Sequence, residues 1–299
     1  MSNGTTLVGM DGSASSKRAL DWAARRVAQR GGHLRLLCVV DFAFGTDVYG
    51  SQFDPLENAS WALDEASKYV AQNYPAVDVS TDWVDGRPAL ELVKASSEAE
   101  LVVIGTDKSP EIGGPRVGTI PLKVAARARC PVAVIPDLGN ARRRGVTVGV
   151  DRSPRSHEAL AVAVHEACWL GTTLRVVHAW HVPPPFASDV TPDLQPDPRY
   201  QDSLESVLDD ALAELNTPIP DRVTVVTELA RENAALALVD RSLRAELLVV
   251  GCRGRGRVAS YVLGSVSHDV LLNITSPVLV VPGAKAAVTT SKDFEGEEW

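Results

Sequence analysis

The sequence predicts an α/β protein of two tandem doubly wound domains, each with a five-stranded parallel sheet. Two observations carry this: the chain repeats itself at long range, and short β-branched runs alternate with amphipathic stretches. LVGMDGSASSKRALDWA near the start matches TVGVDRSPRSHEALAVA later. Gly9 pairs with Gly149, Asp11 with Asp151 and Ser13 with Ser153, at an offset of 140 residues. HLRLLCVV pairs with TLRVVHAW at the same offset. AELVVIG (99–105) matches AELLVVG (245–251), and CPVAVIP (130–136) matches SPVLVVP (276–282), both at 146. The second copy has therefore gained six residues. The proline-rich HVPPPFASDVTPDLQPDPR, unsuited to helix or strand, is where they fall.

The elements follow in order. TTLVGM reads as a first buried strand that stops at Asp11-Gly12. A helix follows, with Ser15 or Ser16 as cap, an apolar face of Ala19, Leu20, Ala23 and Val27, and Gly31-Gly32 as its stop. LRLLCVV, VDVSTDWV, LVVIG and VAVIP are the remaining strands of the first copy. Parallel strands joined through helices wind right-handedly into a Rossmann-like sheet, and such sheets take ligands beyond the carboxyl ends of the strands, where the strand order reverses. The expected boundaries are 1–137 for the first domain, 138–145 for a linker containing ARRR, 146–283 for the second domain and 284–299 for a polar tail.

Composition bounds the function. The chain has 299 residues, 45% hydrophobic, with a net charge of -8, which suits two globular domains and argues against general nucleic-acid binding. The N-terminal stretch has no secretory pattern, and no apolar run nears the roughly 20 residues of a bilayer span. Cys38, Cys130, Cys168 and Cys252 lie far apart without CxxC spacing, and read as reduced thiols of a cytoplasmic protein.

The chemistry concentrates at GCRGRGR (251–257), which follows the apolar run AELLVV and precedes LGSVS. Glycines permit positive φ, so successive N–H groups can converge as an anion nest. Gly264-Ser265 then opens a helix whose free N–H groups and dipole favour phosphate. Arg253, Arg255 and Arg257 add positive charge. The pattern Gly251-x2-Gly254-x9-Gly264-Ser265 lacks GK[ST], so it is not a Walker loop. Its bland alternative is a mobile surface loop. Asp11 and Asp151 each close a first strand. A carboxylate there can accept from an adenine amino or ribose hydroxyl group, or can simply belong to an Asp-Gly-Ser or Asp-Arg-Ser turn that caps the helix.

The VDxS start, AELLVVGCRGRG…LGSVS and SPVLVVP resemble the universal stress protein family in its tandem, ATP-binding form, over nearly the whole chain. The resemblance implies a bacterial stress-response regulator that binds ATP, usually with magnesium, and hydrolyses it slowly or not at all. It implies that Gly149, Asp151 and Ala179 meet adenine and ribose, with Gly9, Asp11 and Val39 as first-half counterparts. It implies that Gly251, Arg253, Gly254, Arg255, Gly256, Gly264, Ser265, Val266 and Ser267 hold the phosphates. It also implies that the final strands pair antiparallel, joining the halves as a pseudo-dimer through 132–136 and 278–282. A homodimer of the whole chain and an unknown protein partner are compatible with it. The alternatives are a slow ATPase and a nucleotide-independent interaction module with vestigial sites.

The first half departs from the pattern. It keeps Gly105, Gly118 and Thr119 at the same spacing, but has Lys108 for the second glycine, Asp107 for Arg253 and Pro121 for Ser267. A Cβ at a position needing positive φ costs about 1–2 kcal/mol. Asp107 would repel phosphate, whereas Lys108 can reach one. The second site is therefore expected to bind more tightly.

Other signals are weaker. His157, His165 and His268 fall on expected helices, and His178 packs or bonds in the core. No histidine or cysteine spacing suggests a metal site, and no GxSxG suggests a hydrolase. Cys252 is either a thiolate activated by arginines or a space-filler. Trp22, Trp61, Trp83, Trp169 and Trp180 are expected as core or interface anchors.

Overall fold

The computed structural model describes residues 4–42, 54–107, 118–137, 139, 142–180, 198–215, 219–252 and 263–283. Within them the first copy runs β1 (Thr5–Met10), α1 (Ala14–Arg30), β2 (His33–Val40), α2 (Pro55–Asn73), β3 (Asp78–Asp85), α3 (Pro88–Ala95), β4 (Leu101–Gly105), α4 (Thr119–Arg127) and β5 (Val132–Ile135). The second runs β6 (Val146–Gly149), α5 (Pro154–Leu170), β7 (Leu174–Trp180), α6 (Pro198–Ala213), β8 (Val225–Arg231), α7 (Ala234–Ser242), β9 (Leu247–Gly251), α8 (Ser265–Leu272) and β10 (Val278–Val281).

The ten strands form one sheet in the order β3-β2-β1-β4-β5-β10-β9-β6-β7-β8. Each half is parallel, as its alternation of strand and helix requires. Only β5 and β10 run antiparallel, with Val278 opposite Val134, Leu279 opposite Ala133 and Val280 opposite Val132. The halves thus join through 132–134 and 278–280, inside the segments expected. Two apolar edges that would otherwise invite outside pairing close on each other.

Both faces of the central strands are covered, which explains their unbroken apolar runs. Val8, Val103, Ala133, Val148 and Leu279 point to one face, under α1, α2, α5 and α6. Leu7, Val102, Val134, Leu248 and Val280 point to the other, under α3, α4, α7 and α8. The outer strand β3 is mostly exposed and carries Asp78, Asp82 and Asp85, which suits an edge.

Two expectations are corrected here. The cap of α1 is Ser13, not Ser15 or Ser16: its hydroxyl accepts from the Ser16 N–H at 3.1 Å, because Asp11 holds Ser13 in extended backbone just ahead of the helix. Gly31 ends the helix with φ +80, as its sequence suggests. The tryptophans are not all anchors. Trp22 packs partly buried against the core and Trp169, 38% exposed, lies across the join under Arg30 of the first half, but Trp61 and Trp83 are 57% and 44% exposed. Guanidinium groups lie over the rings of Trp22, Trp169 and Trp180, from Arg26, Arg30 and Arg231 respectively. On helix surfaces and an edge strand a large ring finds one wall, not an enclosure.

Candidate functional site

The end of β6 begins the site. Gly149 closes the strand, and the Val150 N–H still bonds the Val177 carbonyl of β7 at 2.9 Å. Asp151 then turns the chain: its Oδ1 accepts from the Ser153 N–H at 2.9 Å and from the Ser153 hydroxyl. Ser153 caps α5, receiving the Ser156 N–H. Asp151 therefore orders the turn, and the same geometry recurs at Asp11 and Ser13. The structural reading of these carboxylates holds in both halves. His178 Nδ1 lies 2.9 Å from the Val150 carbonyl and braces the same corner.

Around this corner lies a cavity of about 290 Å³, lined by Gly149, Asp151, Val177, Ala179, Leu238, Gly251 and Gly264 to Ser267, among others. β6 lies between β7 and β9, so the cavity sits at the carboxyl ends of strands where the order reverses. Of the second-half residues singled out in sequence, the structure brings together Gly149, Asp151, Ala179, Gly251, Gly264, Ser265, Val266 and Ser267. Arg253, Gly254, Arg255, Gly256 and Arg257 lie outside the described residues.

The two ends of that segment are clamped. Cys252 donates its N–H to the Val281 carbonyl, and its own carbonyl accepts the Gly264 N–H at 2.7 Å. The Ser267 hydroxyl bonds the carbonyls of Cys252 and Gly264 at 3.1 and 3.0 Å. Ser267 is thus committed to the backbone and fully buried. Gly264 caps α8 without a side-chain bond, which leaves the opening of the helix clear of a competing oxygen.

Of the described glycines here, Gly149 and Gly251 are needed for a different reason than positive φ. Gly264 has φ -64, and neither Gly251 nor Gly105 is among the described glycines with positive φ. A Cβ on Gly251 would stand 3.2 Å from the Arg155 carbonyl oxygen of α5, and one on Gly149 2.7 Å from Leu238. These glycines let β9, β6 and the helices approach closely. Cys252 is buried at 7% exposure within the apolar cluster under α7 and α8, which fits the space-filling reading.

The first half is built differently. Gly9, Asp11, Val39 and Gly105 stand at the corresponding strand ends, and Gly118 and Thr119 open α4. Lys108 lies outside the described residues. The Thr106 carbonyl, counterpart of the clamped Cys252 carbonyl, is taken by Arg18 Nη2 at 3.2 Å. Pro121 stands where Ser267 would supply its hydroxyl. Asp107 is 79% exposed and lies 3.9 Å from Arg18. Gly105 is pressed so closely on α1 that a Cβ would stand 2.0 Å from the Ser15 carbonyl oxygen.

A larger cleft, about 990 Å³, lies between the halves and holds none of the residues expected to bind nucleotide; charges of both signs line it. Among the described residues no group of three His, Cys, Asp or Glu can hold a metal, and no helix is long and apolar enough to cross a membrane.

The sequence profile of the universal stress protein family matches residues 3–136 and again 143–282. The chain belongs to the universal stress protein family. It is 33% identical over 291 residues to universal stress protein Rv2005c of Mycobacterium tuberculosis, covering 92% of this chain and 95% of that one. Universal stress protein Rv2623 of the same organism is 31% identical over 289 residues, covering 92% and 95%. The crystal structure of a universal stress protein from Archaeoglobus fulgidus matches with a TM-score of 0.64 at 18% identity, covering 94% of this chain and 96% of that one. At that identity the likeness speaks for the fold. The tandem universal stress architecture accounts for the doubled motifs and the single antiparallel join.

Proposed function

We propose that the second half binds an adenine nucleotide, ATP above others, and that this universal stress protein acts by holding it as a regulator. The supporting observation is the cavity of about 290 Å³ that gathers Gly149, Asp151, Ala179, Gly251 and Gly264 to Ser267 from four separate segments at the switch point. Base and ribose fit the part lined by Asp151, Val177, Ala179 and Leu238, with the Asp151 carboxylate accepting from a polar edge. The phosphates extend toward Gly251 and the start of α8, where unpaired N–H groups favour anions. Arg253, Gly254, Arg255 and Gly256 supply the rest of the phosphate cradle. Magnesium, when present, is held chiefly by the phosphates, since the described residues contain no carboxylate cluster for it. The first-half residues Gly9, Asp11, Val39, Gly105, Lys108, Gly118 and Thr119 form the weaker or empty counterpart.

Mass spectrometry of small molecules released from the denatured, purified protein tests the reading. Adenine nucleotide at a substantial fraction of one per chain is expected. Protein that carries none, and takes up none when titrated with ATP and magnesium to millimolar concentration, would overturn it.

A further inference from the structure

Arg26 and Glu166 are the same position of the two copies, 140 residues apart. They meet across the join. Arg26 donates from Nη1 and Nη2 to Glu166 Oε2 and Oε1 at 2.7 and 2.6 Å. Arg30, one turn on, donates to the same two oxygens at 3.0 and 2.6 Å. The Glu166 side chain is only 5% exposed. The sheet below repeats the arrangement. Ala133 faces Leu279 in the antiparallel register, and these too are one position of the repeat, 146 residues apart. Both are buried, on the face that α1 and α5 cover.

The pseudo-dyad therefore passes through two positions that face themselves, and at each the copies carry unlike residues: arginine against glutamate, alanine against leucine. Applied to two first halves, the same geometry sets Arg26 against Arg26 beside both Arg30 residues, with no carboxylate between them, and Ala133 against Ala133 with a gap. Applied to two second halves, it buries Glu166 against Glu166 and crowds Leu279 on Leu279. Like charges at a buried contact are strongly unfavourable, while a buried ion pair stabilises little over an apolar pair of the same volume. Selectivity explains such a pair better than stability does.

We propose that Arg26, Arg30, Glu166, Ala133 and Leu279 make this join selective for the unlike half. The first half accepts a second half and rejects another first half, so that copies of the chain do not join through their like edges.

The test is thermal unfolding of the full chain in two exchange series. Glu166→Arg reproduces the like-charge join and is expected to lower Tm by on the order of 10 °C. Arg26→Glu alone lowers it as well, and Arg26→Glu combined with Glu166→Arg recovers more than half of the Glu166→Arg loss. Ala133→Leu and Leu279→Ala each lower Tm, by about 5 °C or more, and the combined exchange recovers most of that. The size series stands by itself if a charge variant fails to fold. Exchanges that do no better than the sum of their single changes would overturn the proposal.

Discussion

At the scale of single residues, the glycines separate two kinds of constraint that look alike in sequence. Gly31 needs its positive φ, and its place after an apolar periodic stretch shows this. Gly105 and Gly251 are small because a helix start presses on them, and periodicity carries no trace of a close approach between distant segments. Gly105→Ala is thus a packing lesion rather than a probe of nucleotide binding. It is expected to destabilise by about 1–3 kcal/mol, while Gly251→Ala, with 3.2 Å to give, costs less. Urea unfolding of both variants checks the order. The cysteines follow burial. Cys38 is pushed up to about 11 by burial and then by Asp11, and burial pushes Cys130 up to about 12. Both are expected to resist iodoacetamide at pH 8 in the folded protein, with the half-buried Cys168 labelled first. Labelling of Cys38 or Cys130 as fast as Cys168 would contradict this.

At the scale of elements, the order of strands and helices was legible because apolar runs, caps and stops agree in both copies. The cap of α1 was not, since three serines follow Asp11 within five residues and each can serve. Only the turn that Asp11 imposes selects Ser13. The exposed tryptophans escaped for a related reason: hydrophobicity does not distinguish an edge strand or an outer helix face from the core. The residues of the candidate site were legible as a motif, yet the commitment of Ser267 to the Cys252 and Gly264 carbonyls was not. Ser153→Ala removes the α5 cap and is expected to cost about 1 kcal/mol. Differential scanning calorimetry should show the corresponding fall in Tm of a few degrees; no change would mean that Asp151 caps the helix unaided.

At the scale of the whole molecule, one continuous sheet makes the halves a single body with a charged seam. Burial alone would raise the Glu166 carboxyl above its ordinary 4.5, but Arg26 and Arg30 outweigh it and hold the group at about 2. A depressed carboxylate contributes its stability above its unfolded value and loses it as pH falls through the folded one. The seam is therefore expected to weaken between about pH 4.5 and pH 2. Glu166→Gln should show less loss of stability over that window than the unaltered chain, and an equal loss would place the acid sensitivity elsewhere. The central claim, one strong nucleotide site in the second half, is tested most directly by calorimetric titration of ATP and magnesium into the full chain and two matched variants. Ala179→Phe fills the cavity of about 290 Å³, and Val39→Phe places the same bulk at the corresponding strand position of the first half. Ala179→Phe is expected to weaken binding at least ten-fold without lowering Tm, and Val39→Phe to leave the tight site unchanged. Tight binding that survives Ala179→Phe and disappears with Val39→Phe would contradict the account.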